Sequence, residues 1–123
     1  MFRTKLRELG LKRPPKYRNK KVVADGIRFD SEKEWHRYTE LQLALKSGLI
    51  TKLQVHPKFE LVVKGIKVCS YIADFCYLAF PCGRLGKAIL TVEDVKSRPT
   101  MTPVYRLKKK LLRALRGIEV KEI

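Results

Sequence analysis

Apolar and polar positions alternate along this chain with two periods, one helical and one extended. Between Ser31 and Gly48 the apolar residues recur every three or four positions, as they do on one face of a helix. Ser31 is a favourable N-cap and Gly48 a favourable stop, so we predict a helix between them. Its buried stripe comprises Glu34, Tyr38, Leu41 and Leu45. An acidic side chain is therefore expected on the buried face of the first turn.

Three apolar segments follow this helix and predict β-strands. They are LITKLQVHPKFELVV from residue 49, KVCSYIADFCYLA from residue 67, and KAILTVEDVKS from residue 87. The first segment is either one long strand or two strands that break near Pro57, because proline cannot donate a hydrogen bond to a neighbouring strand. Before the helix, KVVADGIRF predicts a short extended piece with a turn at Asp25 and Gly26.

A second helical pattern covers TPVYRLKKKLLRALRG, with Thr102 as N-cap, Pro103 at the first helical position and Gly117 at the stop. Its predicted apolar stripe comprises Val104, Leu107, Leu111 and Leu115. The last segment, IEVKEI, alternates like a short edge strand. The order of helix, three strands, helix and strand predicts an α/β fold.

The formal net charge of +16 is concentrated at the two ends of the chain. Residues 1–24 hold nine Lys/Arg and one acid, a net of +8, and residues 96–123 hold nine and two, a net of +7. Residues 25–95 hold ten and nine, a net of +1. Such a distribution is typical of a protein that binds a polyanion, and we favour nucleic acid over a merely solubilising surface. A membrane surface fits less well, because no long apolar run accompanies the charge.

We interpret residues 1–21 as a basic, flexible N-terminal arm and residues 22–123 as a single domain. The N-terminus has no apolar signal core, and the three cysteines contain no C-x-x-C pair. We therefore expect reduced thiols, no zinc site and a cytoplasmic location.

Acidic residues lie inside the predicted strands, where an unpaired carboxylate is costly. Asp74 falls within the second segment, and in the third Asp94 is followed two positions later by Lys96. Residues two apart in a strand share a face, so Asp94 and Lys96 are expected to be neighbours. If the two segments pair antiparallel, Glu34, Asp74 and Asp94 provide hard oxygen ligands for Mg²⁺ or Mn²⁺.

The order of these features resembles that of the PD-(D/E)xK nuclease superfamily. The order is an acid on the first helix, then Asp, then Asp-x-Lys on a β-hairpin, then a helix and a strand. In more detail, the chain looks like a phage-encoded endonuclease-like family, formerly of unknown function and related to junction-resolving phage endonucleases. The segments that carry this resemblance are DGIRFDSEKEWHRYTEL, HPKFELV, YIADFCY, VEDVKS and VYRLKKKLL. The resemblance extends from about residue 22 to the C-terminus. One departure is that Ala73, and not proline, precedes Asp74.

The resemblance implies a restriction-endonuclease-like core with a mixed central sheet. It also implies a Mg²⁺-dependent DNA endonuclease that selects branched DNA, as a Holliday-junction resolvase does, with Mn²⁺ able to substitute. Glu34, Asp74 and Asp94 are then the metal ligands, and Lys96 is the catalytic lysine. A homodimer, a location in the host cytoplasm and the absence of a small-molecule cofactor are further expectations.

Several of these assignments stay open at the level of the sequence. Glu34 is also placed to close a capping box with Ser31, and the two roles are compatible. Asp74 and Asp94 can instead be structural acids paired with lysine. A bulge in the third segment would let Glu93 replace Asp94 as a ligand.

The two histidines are expected in different positions. His36 lies off the apolar stripe and is expected on the surface, whereas His56 is near enough in sequence to reach the mouth of the site and is left without a role. The residues expected to contact DNA phosphates are Arg18, Lys20, Lys21, Arg106, Lys108, Lys109 and Arg113. Lys108 falls on the apolar side of its helix, so it either reaches toward the active site or extends its stem over apolar surface.

The alternative functions are a non-catalytic nucleic-acid-binding protein on the same fold, a sequence-nonspecific duplex nickase and an RNA-directed nuclease.

Overall fold

The computed structural model of the protein describes residues 21–96 and 101–123. These residues contain two helices and eight strands. In chain order the elements are β1 (Val22–Ala24), β2 (Ile27–Phe29), α1 (Glu32–Ser47), β3 (Ile50–Val55), β4 (Lys58–Val63), β5 (Ile66–Ile72), β6 (Phe75–Ala79), β7 (Ile89–Asp94), α2 (Pro103–Arg116) and β8 (Val120–Glu122).

Helix α1 begins and ends where the sequence predicts. The Ser31 hydroxyl accepts a hydrogen bond from the Glu34 backbone N–H at 3.1 Å. Gly48 ends the helix in the left-handed conformation, with φ of 81°, and its N–H bonds the carbonyls of the last turn. Tyr38 and Leu41 are buried on the same face as Glu34, as expected. Neither of the two described helices is long and apolar enough to cross a membrane.

A four-stranded sheet in the order β3-β6-β7-β8 forms the centre of the fold. Strands β3, β6 and β7 pair antiparallel, whereas β8 runs parallel to β7. A parallel pair requires a long crossover connection, and here that connection contains α2. The prediction of an α/β fold with a mixed central sheet is therefore confirmed.

Two of the three predicted strand segments are each divided, so five strands, and not three, lie between the helices. The division of the first segment near Pro57 is one of the two predicted alternatives, whereas the division of the second was not predicted. The first segment separates into β3 and β4 at His56 and Pro57, and the second separates into β5 and β6 at Ala73 and Asp74. The four strands still form one bent antiparallel ribbon. Across the break, the His56 N–H donates to the Asp74 carbonyl at 2.9 Å and the Ala73 N–H to the Pro57 carbonyl at 3.1 Å. Asp74 thus lies at a break in the ribbon, and not in mid-strand as predicted.

The extended piece before α1 is the hairpin β1–β2, with the predicted turn at Asp25 and Gly26. Both turn residues have positive φ, 51° and 73°, as a type I′ turn requires and as Asp-Gly favours. Phe29, at the end of the hairpin, is fully buried, and its ring centroid is 4.9 Å from that of Tyr38. The hairpin therefore packs against α1.

Buried apolar side chains form two cores. The core beside α1 contains Phe29, Tyr38, Leu41, Ile50, Phe75 and Tyr77. The core beside α2 contains Leu61, Tyr71, Ala73, Cys76, Val92, Leu112 and Val120. Ala73 belongs to the second core and Phe75 to the first, so Asp74 lies where the two cores meet.

Helix α2 has the predicted ends but packs through a different face. Thr102 caps it and Gly117 ends it. Val104 and Leu107, from the predicted stripe, are 60% and 59% exposed, whereas Leu112 is fully buried. The predicted stripe is therefore wrong for Val104 and Leu107, although Leu111 packs, partly buried, against the core beside α2. The sequence offers two apolar faces about 100° apart, and packing against β4 and β5 selects the face that carries Leu112.

Replacing Leu112 by Ala is expected to lower the free energy of unfolding by about 2–5 kcal/mol, because it leaves a cavity in the core beside α2. Replacing Leu107 by Ala removes the same atoms from an exposed position and should change this free energy by less than about 0.5 kcal/mol. Urea unfolding of both variants measures the difference. Equal destabilisation by the two substitutions would contradict the observed face of α2.

Candidate metal centre

Three strands bring polar residues into one row at the break in the ribbon. His56 lies opposite Asp74, because the His56 N–H donates to the Asp74 carbonyl at 2.9 Å. Asp74 lies opposite Asp94, one step beyond the Phe75–Glu93 pair in the register of β6 and β7. A histidine and two aspartates from separate parts of the sequence are therefore neighbours in space.

Asp74 and the segment Asp94–Val95 hold each other by reciprocal hydrogen bonds. The Asp74 backbone N–H donates to Oδ1 of Asp94 at 3.1 Å, and the Val95 N–H donates to Oδ2 of Asp74 at 2.7 Å. The Tyr71 hydroxyl donates to the other oxygen of Asp94. Neutral donors thus fix the orientation of both carboxylates.

The third carboxylate, that of Glu34, comes from the first turn of α1. Glu34 is 4% exposed, and its Oε1 lies 2.7 Å from Nε2 of His56. Its Oε2 accepts a hydrogen bond from the Asp30 backbone N–H at 3.3 Å. The capping box is only half formed, because Ser31 caps the helix while the Glu34 carboxylate turns toward the ribbon.

Burial raises the pKa of Asp74 and of Asp94 to about 6. The negative charge of Glu34 raises the pKa of Asp74 further, whereas Lys96 and His56 lower it. Lys96 is also the strongest opposing influence on the pKa of Asp94. A bound cation stabilises ionised carboxylates in such an environment, because its positive charge takes the place of the proton that burial favours.

Lys96 lies just beyond the end of β7, and an aromatic ring supports it. Its Nζ is 4.7 Å from the ring centroid of Tyr105 on α2, a cation–π contact. The Tyr105 hydroxyl donates to Oε1 of Glu122 at 3.1 Å, and Nζ of Lys109 donates to the same oxygen at 2.6 Å. The hydrogen bond from Lys109 lowers the pKa of Glu122. Helix α2 and strand β8 thus orient the ring on which Lys96 rests.

Glu93 has a separate, structural environment on the side of the sheet that faces α1. Nε and Nη2 of Arg37 each donate to its carboxylate at 2.7 Å, and the Tyr77 hydroxyl also donates to it. Glu93 is fully buried, and its hydrogen bonds raise the pKa of Arg37 above the ordinary value. The register of β6 and β7 is continuous here, and the Asp74 N–H also donates to the Glu93 carbonyl at 3.2 Å. The carboxylate beside Asp74 is nevertheless that of Asp94, and not that of Glu93.

Glu34, His56 and Asp74 form a group that fits a divalent metal ion. One ligand atom from each lies within 4.8 Å of the others. Two carboxylates and one imidazole are a normal set of protein ligands for such an ion. Asp94 adjoins the group through its hydrogen bond with Asp74.

His56 is the member of this group to which the sequence assigned no role. Its contact with Asp74 depends on the register of two strands, which sequence periodicity does not give. The available signal is Pro57, because a strand that breaks at proline frees the preceding side chain from regular alternation. His56 has φ of 55°, and its imidazole turns toward Glu34. His36, in contrast, is exposed, as expected.

A surface cavity of about 330 Å³ adjoins Lys96. Tyr71, Tyr105 and Lys108 contribute to its wall together with Lys96. Two ammonium groups therefore border one cavity, whose wall includes Tyr71, the hydroxyl donor to Asp94. Lys108 thus lies on the side of α2 that faces the cavity beside Lys96.

A second cavity of about 330 Å³ lies between α2 and β8 and is strongly basic. Its lining includes Arg106, Lys109, Lys110, Arg113, Glu119 and Glu122. Lys109 is paired with Glu122, which makes it a weaker candidate for phosphate contact than the sequence suggests. Lys21 is exposed, and Arg18 and Lys20 lie outside the described residues.

Comparison with known proteins gives a family that has no assigned activity. The family described as "Protein of unknown function (DUF1064)" matches residues 14–121. No curated protein and no solved structure matches the chain. The functional conclusion therefore depends on the chemistry of the site itself.

Replacing Asp74 by Asn is expected to stabilise the metal-free protein at neutral pH. The pKa of Asp74 is raised from 3.8 to about 6 in the fold, so its ionised form is destabilising there. Because the pKa is raised in the fold, protonated Asp74 contributes to the free energy of unfolding below about pH 4. This contribution is lost as the pH rises through about 6. We expect the variant to gain about 1–2 kcal/mol at neutral pH and nothing near pH 4, in urea unfolding with a chelator. A variant less stable than wild type at neutral pH would contradict the described environment of Asp74.

Proposed function

We propose that this chain, which belongs to the DUF1064 family, is a divalent-cation-dependent DNA endonuclease with a restriction-endonuclease-like core. The observation that carries the proposal is the convergence of three carboxylates, an imidazole and an ammonium group at one break in the ribbon. This arrangement supports the same reaction that the resemblance to PD-(D/E)xK nucleases implies.

The contrast with Glu93 argues that the cluster has a chemical role. Where the fold buries an acid for structural reasons, it supplies a bidentate arginine, as Arg37 does for Glu93. Among the described residues, no lysine or arginine forms a salt bridge with Asp74 or Asp94. Buried charges without a cation in contact are costly, and sites that bind metals tolerate this cost because the ion compensates it.

Glu34, His56 and Asp74 would hold the cation, with Asp94 beside them. When bound, a divalent cation polarises the scissile phosphate and lowers the pKa of a water molecule. We assign to Lys96 the stabilisation of negative charge on the phosphoryl oxygens in the transition state. Tyr105 keeps the Lys96 ammonium close to that position through the cation–π contact.

The reaction is hydrolysis of a phosphodiester bond by in-line attack. The water oxygen forms a bond to phosphorus, and the bond between phosphorus and the 3′ oxygen breaks. The 3′ oxygen leaves with the bonding electron pair and takes a proton, while a proton of the attacking water is released to solvent. The products are a 5′-phosphate and a 3′-hydroxyl.

Phosphates outside the reacting bond would be held by the basic surfaces on both sides of α2. Arg106, Lys110 and Arg113 border the groove beside β8, and Lys108 borders the cavity beside Lys96. Contacts of this kind position DNA without reading its sequence. We propose that the protein recognises the shape of branched DNA, as a homodimer with two active sites.

Cleavage of a labelled four-way junction tests the function directly, beside a matched linear duplex and single strand. We expect metal-dependent, junction-selective cleavage by the wild type, and a loss of at least about 10³-fold in rate when Asp74 is replaced by Asn. Glu60→Gln is the matched control, since it neutralises an exposed acid on β4 that lies outside the site. This control should cleave at the wild-type rate.

The outcomes of this experiment separate the alternative functions. Tight junction binding without cleavage in Mg²⁺ or Mn²⁺ would contradict the nuclease and favour a binding protein. Cleavage of linear duplex alone would retain the nuclease and remove the selectivity for junctions. Equal loss of cleavage in Asp74→Asn and Glu60→Gln would contradict the assigned site.

DNA binding is expected to depend on the groove beside β8. Replacing Arg113 by Ala should weaken binding at physiological salt and reduce the salt dependence of log K by about 1, because one phosphate contact is lost. Lys46→Ala removes a cation from the last turn of α1 and serves as the control, with no expected change. Binding to uncleaved junction is measured in the presence of chelator over a range of salt concentrations. The slope of log K against the logarithm of the salt concentration is then obtained for each variant. Identical slopes for the two variants would contradict a role for this groove.

A further inference from the structure

We propose that this centre binds a first-row transition-metal ion in preference to Mg²⁺, and that His56 is the ligand responsible, an inference that rests on the proposed function. The observation that carries it is the closeness of the imidazole to two carboxylates. Nε2 of His56 lies 2.7 Å from Oε1 of Glu34. Together with an oxygen of Asp74, these atoms lie within 4.8 Å of one another.

The backbone conformation of His56, just after the end of β3, turns its side chain out of the alternation of that strand. Its φ of 55° lies in the left-handed region, which residues other than glycine seldom adopt. Such a conformation is strained, so the surrounding structure must impose it. The hydrogen bonds that flank Pro57, from His56 to Asp74 and from Ala73 to Pro57, do so. The imidazole consequently faces Glu34 instead of following the alternation of β3.

The surroundings of the imidazole suit a ligand. Glu34 has a side chain that is 5% exposed, while that of His56 is 36% exposed, so the ring bridges a buried carboxylate and open solvent. Phe29 lies on the inner side of the ring, with its centroid 6.2 Å away. A metal ion that enters from solvent therefore meets the imidazole and the carboxylates of Glu34 and Asp74 together.

Ligand chemistry then decides which ion the site prefers. Mg²⁺ is a hard ion that takes oxygen ligands and keeps several of its water molecules. Imidazole is a good ligand for first-row transition metals, whereas carboxylate accepts both classes. Mn²⁺ is the sharpest probe, because it shares the preference of Mg²⁺ for carboxylate oxygens. The part of the Mn²⁺ preference that is lost when His56 is replaced therefore measures what the imidazole contributes.

Direct metal binding tests this inference without any DNA. The full metal-free chain is titrated with Mn²⁺ alone while the EPR signal of free Mn²⁺ is followed, and Mg²⁺ is then added as a competitor. We expect wild type to prefer Mn²⁺ by at least about 100-fold, and His56→Asn to reduce that ratio at least about tenfold by weakening Mn²⁺. His36→Asn removes the exposed histidine and should leave the ratio unchanged. Circular dichroism of the metal-free variants verifies that they fold.

A second measurement uses wild type alone. The chain has two histidines, so ¹⁵N-labelled imidazoles give a simple NMR spectrum with His36 as an internal control. Titration with diamagnetic Zn²⁺ should shift the Nε2 signal of His56 and leave both signals of His36 in place. An unshifted His56 signal would mean that His56 is only an ion-pair partner of Glu34 and would overturn the inference.

The results also separate this inference from the proposed function. Equal Mn²⁺ to Mg²⁺ ratios in wild type and His56→Asn, with Mg²⁺-dependent cleavage intact, would overturn the role of His56 and leave the nuclease standing. Failure of wild type to bind either ion, together with no cleavage in either, would overturn both.

Discussion

The reciprocal hydrogen bonds between Asp74 and the Asp94–Val95 segment are the interaction on which the rest of the structure depends. They join β6 to β7 at the one point where the long ribbon breaks, and they fix two carboxylates side by side. Because these donors are neutral, they orient the negative charges without compensating them. The break thereby creates a place, between the two apolar cores, where a bound cation would be favourable.

The fold surrounds its buried and half-buried acids in two different ways. Glu93 has an arginine, a tyrosine and complete burial, which is a stable arrangement that needs no ligand. Asp74 and Asp94 are each one residue beyond the Phe75–Glu93 pair in the register of β6 and β7. Among the described residues they have no arginine partner, and burial raises the pKa of each to about 6. Helix α2 links this site to the basic surface, since the Lys109–Glu122 pair anchors the ring that supports Lys96. One helix thus borders both the proposed metal centre and the proposed phosphate contacts.

Features fixed by local sequence could be predicted, and features fixed by strand register could not. Ser31 and Gly48 bound α1 through contacts within a few residues, and the Asp25–Gly26 turn is equally local. The position of His56 against Glu34 depends instead on the break in the ribbon and on the packing of α1. Leu112 was missed for a related reason, because periodicity leaves two apolar faces on α2 and only tertiary packing chooses between them.

The central claim is that the carboxylates at the break form a metal site. An X-ray structure of the chain crystallised with Mn²⁺, with anomalous data collected at the manganese edge, tests this claim most directly. The account predicts an anomalous peak within bonding distance of Glu34, His56 and Asp74. A map with no peak at this position, and with manganese bound only at exposed acids such as Glu119, would contradict it.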